Sequence, residues 1–354
     1  MLNYFNKVDI DNTMINTHKK SFSGNRRYYF LLLLFFTAGL FLPSCVTTTP
    51  VNKGAEVAVY KSDNYMIYRL QGSETPEDLA KKYLGDIKKS WRIEEANPKK
   101  KFSAGQYIVI PLKEDNKGGI STNGYQVIPV LTYHRFNEKC DSDLCMPENV
   151  FEQQMKYLKD NGYHSVTPDD LLAFLQYRKA LPAKSVMITM DDGFRSVYGI
   201  AYPIMKKYGF TATLFIYTDY VGVSGSAITW DQLREMKAAG FSVGSHTVSH
   251  SNLTKKAEGE SDQDFLARIR KELNESKAII DKKLGQDTII LAYPFGSCDQ
   301  RVTEYTKQAG YKMAMTVKRG GNAFFNSPLA LKRDQILSAD SDLFHSTLIT
   351  FNRF

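Results

Sequence analysis

From about Tyr125 to the C-terminus the chain alternates strand-like and helix-like runs, and this alternation restricts its fold more than any other feature. The strand-like runs are QVIPVLTY, SVMITM, TATLFIY, FSVGS, TIILAY, YKMAMTV and LALKRDQI. All are short, and all but LALKRDQI are rich in β-branched or aromatic residues, as strands are. Amphipathic helices separate most of them. Phe151, Met155 and Leu158 share one helical face, TWDQLREMKAAG opens on a capping box at Thr229 and Gln232 and closes at Gly240, and DFLARIRKELNESKAIIDKKLG stops at Gly285. Strands joined through crossover helices run parallel, so the expected fold class is α/β, with a parallel sheet that is open or closed into a barrel. A chain of 354 residues, 43% hydrophobic, has room for more than this one domain.

The N-terminus reads as a targeting segment. Lys19, Lys20, Arg26 and Arg27 precede FLLLLFFTAGLFLPSC, whose uncharged run falls short of the ~20 residues of a spanning helix and matches a signal-peptide core. Acidic residues before Lys19 make Met14 an alternative start. LPSC resembles a bacterial lipoprotein box, with Leu42, Ser44 and Cys45 in place; an ordinary secretory signal is the alternative. The resemblance implies a signal peptide over residues 1–45, a lipid on Cys45, and an extracytoplasmic protein held to the membrane of the envelope, at the outer membrane or the outer face of the cytoplasmic one. Residues 46–64 follow as a polar tether. Export would let Cys140 and Cys145 pair and leave Cys298 free. The charge of +8 would suit an anionic partner, but the lysines are scattered as on solvated faces, and no nucleic acid is expected as a partner.

Residues 65–113 contain a short strand, a turn at Gly72, a helix from about Thr75 to Tyr83 with Pro76 in its first turn, a second helix near Trp91 and a closing strand in QYIVIP. Tyr68, Gly72, LAKKY, Asn97 and AGQYIVIP resemble a LysM module. That resemblance implies a small βααβ domain that binds glycans containing N-acetylglucosamine. Residues 114–124 form a charged, then glycine- and serine-rich linker, and residues 125–354 make the second domain.

In parallel α/β folds reactive side chains gather where strands end. His134 follows VLTY, Asp191 and Asp192 follow VMITM, His246 and His250 follow FSVG, and YPFG follows IILA. Adjacent aspartates repel unless a cation neutralises one of them. GSHTVSH spaces two imidazoles four apart, which on a helical turn aims both at one point. One aspartate and two histidines leave a fourth position for water, the open arrangement of catalytic zinc. Gly193 is expected to supply the freedom that turns both carboxylates inward. The pattern is not His-Glu-x-x-His, so a base must come from elsewhere, and the second aspartate can serve.

TMDDGF, HTVSH and AYPFG, in that order, resemble the motifs of NodB-like polysaccharide deacetylases, carbohydrate esterase family 4, over roughly residues 125–340. The resemblance implies a distorted (β/α) barrel and metal-dependent removal of acetyl groups from a glycan. It makes Asp191 the base and Asp192, His246 and His250 the ligands of a divalent metal, with zinc expected. The third motif usually reads Arg-x-Pro-Tyr, and here Ala292 and Phe295 stand at its ends. Arg333 is the expected replacement for the arginine that orients the base, and the backbone N–H of Phe295 the expected oxyanion donor. For the acid, His345 in LFH fits one family pattern. His134 in VLTYHRF resembles the relocated histidine of members acting on poly-β-1,6-N-acetylglucosamine, and its strand-end setting favours it. His164 is read as structural. The expected substrate is an N-acetylglucosamine polymer, either peptidoglycan or an exported poly-N-acetylglucosamine. An O-acetyl polysaccharide esterase and a non-catalytic glycan-binding lipoprotein are the rival readings.

Overall fold

The computed structural model describes residues 58–98, 100–114, 116–337 and 341–354; the signal segment and Cys45 lie outside the described residues. The N-terminal module comprises β1 (Ala58–Lys61), β2 (Tyr65–Arg69), α1 (Pro76–Leu79, continued by helical residues Ala80–Leu84), α2 (Ser90–Ala96) and β3 (Tyr107–Pro111). Thr75 and Asp78 cap α1 reciprocally, with Pro76 at its first turn. Met66, Tyr68, Leu79, Ile93 and Ile108 make a core of their own. Asn97 joins α2 to β3, donating to Ile93 O and Val109 O, each at 2.7 Å, and accepting from Val109 N at 2.8 Å. The sequence suggests a linker up to residue 64, yet Ala58–Lys61 adds a third antiparallel strand beside β2. All four of its side chains are exposed, so it pairs through backbone alone and leaves no burial pattern to read.

The second part contains β4 (Ile120–Ser121), β5 (Gly124–Gln126), β6 (Val130–Tyr133), β7 (Arg135–Asn137), β8 (Cys145–Pro147), α3 (Glu148–Asp160), β9 (His164–Ser165), α4 (Pro168–Leu175) and β10 (Ser185–Met190). It continues through α5 (Tyr202–Tyr208), β11 (Thr213–Ile216), α6 (Trp230–Ala238), β12 (Ser242–Ser245), α7 (Asp262–Leu284) and β13 (Ile290–Ala292). Last come α8 (Gln300–Gln308), β14 (Met313–Met315), β15 (Asp334–Gln335), α9 (Ser341–Thr347) and β16 (Phe351–Arg353). β4 and β5 pair with β16, so the end of the expected second linker is part of this body. The module meets the body beneath β10, where Glu95 accepts from Ala183 N at 2.7 Å and Glu114 from Ala180 N at 2.8 Å. Cys140 and Cys145 form a disulfide across the loop between β7 and β8, and Cys298 is free.

The main sheet is parallel, in the order β14-β13-β12-β11-β10-β6-β15, with β9 beside the start of β10. It curls into a distorted (β/α) barrel. Leu331 pairs with Met315 of β14 while Asp334 and Gln335 pair with β6, so one short segment bridges the two margins. LALKRDQI therefore contributes two residues of regular strand instead of a full one. Along β10, Met187 packs inside with Val130, Phe215, Ile290 and Met313, whereas Val186, Ile188 and Met190 pack outward beneath the helices.

Gly244 of β12 has no room for a side chain: a Cβ there would lie 2.6 Å from the Phe215 ring and 2.9 Å from Ile290. Gly244→Ala should lower stability by about 1–3 kcal/mol through overpacking. Denaturant unfolding of the two proteins checks this.

Candidate active site

Side-chain parity along β10 places the first aspartate. Asp191 stands on the interior side with Met187 and Thr189, and its backbone N–H donates to Tyr133 O at 2.9 Å. It is 3% exposed, and Arg333 is fully buried against it. The guanidinium donates from Nη1 to Oδ1 and from Nη2 to Oδ2, both at 2.8 Å, while Nε donates to Thr316 O at 2.9 Å. Its plane lies 5.4 Å over the Phe215 ring. Burial pushes the Asp191 carboxyl up, but the Arg333 charge and neighbouring imidazoles outweigh this and hold it below the usual carboxylate range. The residue expected to replace the missing motif arginine thus reaches the aspartate expected to need it.

Parity alone would send Asp192 outward to the helices. A φ of 74° at Asp192, followed by 82° at Gly193, turns it back over the strand end, so the reversal uses both residues and not Gly193 alone. Asp192 Oδ1 then lies 3.6 Å from His246 Nε2 and 3.5 Å from His250 Nε2. One ligand atom from each of the three falls within 4.8 Å of the others. Burial, opposed by the charge of His134 and reinforced by Asp191, pushes the Asp192 carboxyl up to about 6.

His246 is buried after β12, with Nδ1 2.8 Å from Ala292 O. A carbonyl only accepts, so Nδ1 carries the proton and Nε2 turns its lone pair toward Asp192. Burial pushes His246 down to about 4 and also lowers His250, which keeps both imidazoles in the neutral, ligating form near pH 7.

The two histidines do not share a helical turn, contrary to the spacing argument. They flank a loop in which Thr247 has φ 73° and His250 φ 60°. A β-branched residue is strained in that region and needs external support. Thr247 O accepts from Thr218 N at 3.1 Å, and Thr247 Oγ1 accepts from His250 N at 3.2 Å. Glu272, buried on α7, accepts from Val248 N at 2.8 Å, Ser249 N at 2.9 Å and Ser249 Oγ at 2.6 Å. One turn earlier, Arg268 donates to Ser251 Oγ at 3.1 Å and Lys255 O at 2.9 Å. Glu272 escaped the sequence reading, although its place three residues after Ile269 and four before Ser276 puts it on the buried face of α7.

His134 follows β6 at the same rim, close enough for its charge to act on both aspartates. His345 is exposed on α9, its ring 4.4 Å from that of Tyr157 on α3, in the outer helical layer. Phe295 follows β13 with φ 59°; its ring is 61% exposed and 4.8 Å from the His250 ring. His164 is half-buried in β9 beside the start of β10.

Known proteins carry the same architecture. The polysaccharide deacetylase family model matches residues 178–314. YxkH of Bacillus subtilis, named for that family, is 32% identical over 246 residues, 69% of this chain and 82% of its own length. The poly-β-1,6-N-acetyl-D-glucosamine N-deacetylase of Staphylococcus aureus is 33% identical over 178 residues, 48% of this chain and 60% of the relative. The Streptococcus pyogenes deacetylase PplD, solved in complex with acetate, superposes with a TM-score of 0.58 at 29% identity over 64% of this chain and 99% of its own. The chain belongs to the polysaccharide deacetylase family. It is accordingly a hydrolase acting on carbon–nitrogen bonds other than peptide bonds.

Arg333→Ala leaves a buried carboxylate unpaired and should cost about 3–5 kcal/mol of stability at neutral pH. In the parent, the depressed Asp191 carboxyl contributes stability that is complete above its unfolded value near ~3.9 and is lost as pH falls through the folded one. In the variant the guanidinium no longer opposes burial and the carboxyl rises relative to the parent, so the deficit should shrink as acid protonates Asp191. Unfolding curves across the acid range test the sign.

Proposed function

We propose that the protein removes N-acetyl groups from an N-acetylglucosamine polymer, with Asp191 as general base and His134 as general acid. The observation that carries this reading is the Arg333–Asp191 pair beside Asp192, His246 and His250. One carboxylate is held ionised by its own guanidinium beside the three-donor group, its Oδ2 3.9 Å from His246 Nε2, as a base requires and a binding site alone does not. Two neutral imidazoles and a carboxylate are a donor set that suits zinc. A divalent ion held there supplies Lewis acidity toward a carbonyl oxygen and lowers the pKa of water.

Asp191 takes the proton of the attacking water. Arg333 fixes the orientation of the carboxylate and keeps it charged. The Phe295 backbone N–H donates to the carbonyl oxygen as negative charge builds there. Protonated His134 delivers its proton to the departing amine, which leaves poorly without one. Acetate and a free amino sugar result. The S. aureus relative supports poly-N-acetylglucosamine over peptidoglycan as the polymer. The module at residues 65–113 is read as a LysM-like glycan binder, and Cys45 as the lipidated anchor of an extracytoplasmic protein.

Asp191→Asn should keep its bound metal and lose about 10²–10⁴-fold in turnover. Chelation should abolish activity, and added metal should restore it. Mass spectrometry of N-acetylglucosamine oligomers, reading the loss of about 42 Da per acetyl hydrolysed, follows both; full turnover in either case refutes the mechanism. Separately, labelled fatty acid should enter the mature protein in cells and fail to enter a Cys45→Ser form.

A further inference from the structure

Arg92 and Arg333 are the buried arginines among the described residues. Arg333 faces Asp191, but Arg92 faces no carboxylate. Arg92 is 8% exposed on α2, and its guanidinium makes one hydrogen bond, from Nη2 to the backbone carbonyl of Lys113. A guanidinium withdrawn from water without an anion is costly, and this one carries five N–H donors. Nε and Nη1 are neither bonded nor sealed off. They belong to a side chain that lines a cleft.

The cleft measures about 670 Å³ and lies at the foot of the barrel, between the module and the body. Trp91 and Pro111 of the module and Leu181 and Phe351 of the body give it apolar walls. Lys113 and Asn116, both exposed, line it as well. So do Glu95 and Glu114, yet each commits a carboxylate oxygen to a backbone N–H, of Ala183 and Ala180. Those two bonds tie the walls together, and Arg92 and Lys113 supply positive charge. Apolar walls, a few polar groups and a volume of this size are what small-ligand sites have in common.

We propose that this cleft binds an acidic sugar, one bearing a carboxylate or a phosphate, with the anion on Arg92 and a face of the pyranose on Trp91. A guanidinium fork matches two oxygens of either anion. A pyranose is apolar on its faces and polar at its edges, so it suits an indole bordered by Asn116 and Lys113 better than a hydrocarbon body does. Asp191 lies at the other end of β10, so the sugar held here is not the one that reacts. The site stands whether or not the barrel deacetylates a glycan. Because module and body both contribute walls, its ligand clamps one against the other.

The chain has two tryptophans, so in a Trp230→Phe protein the fluorescence reports Trp91 alone. The probes are N-acetylmuramic acid for the carboxylate and a phosphate ester of N-acetylglucosamine for the phosphate, with N-acetylglucosamine and inorganic phosphate as controls. At least one acidic sugar should shift the Trp91 emission saturably at concentrations where neither control does, and the tighter binder identifies the anion. Arg92→Gln should weaken that binding at least about thirtyfold, the worth of a buried charged contact, and leave turnover at the barrel site unchanged. Arg92→Lys, which keeps the charge without the fork, should fall between the two. If Arg92→Gln fails to fold, Trp91→Ala on the half-buried indole decides the matter by calorimetry, with an expected loss of about tenfold. Equal binding of either control, binding undiminished in both Arg92→Gln and Trp91→Ala, or no response to either acid overturns the site.

Discussion

The buried contact between Arg333 and Asp191 organises the rest of the structure. A carboxylate almost wholly removed from water is stable only beside a charge in good geometry. Arg333 meets this need with two parallel hydrogen bonds and spends its third nitrogen on Thr316 O. The same residue belongs to the segment that bridges the sheet margins, between the Leu331 pairing to β14 and the Asp334 pairing to β6. Closing the barrel and charging its interior are thus one event. The guanidinium lies over Phe215, whose ring leaves no room for a side chain at Gly244, so packing, closure and electrostatics meet within a few residues.

Around that centre, backbone strain is concentrated where function is expected. Asp192, Thr247, His250 and Phe295 all adopt positive φ without being glycine. Such conformations persist only where surrounding contacts over-determine them. For the histidine loop those contacts are the three hydrogen bonds to Glu272 and the backbone bonds from Thr218 and Asp219. Those contacts fix the imidazoles and the carboxylate relative to one another.

Much of this could be read from the residues in order. The βα alternation foretold a parallel sheet because period-two and period-3.6 patterns are local. The grouping of Asp191, Asp192, His134, His246 and His250 followed from their shared place at strand ends. Arg333 was legible through a deficit: the resembled third motif carries an arginine to orient the base, and this chain has Ala292 there. What escaped notice depends on tertiary contacts. The loop between His246 and His250 looked helical because spacing cannot reveal hydrogen bonds arriving from α7. LALKRDQI looked like a full strand because its apolar content does not show that one side chain is drawn inward to meet Asp191. Ala58–Lys61 was invisible because a strand held by backbone alone carries no burial signal.

The seat of the N-terminal module carries a consequence of its own. Glu95 and Glu114 grip the backbone at Ala183 and Ala180, just before β10 begins, whereas Asp191 stands where β10 ends. The two stations are separated by the height of the barrel, roughly 25 Å at the rise of an extended strand. A ligand held at the module's end of the strand would therefore sit a full barrel's height from Asp191.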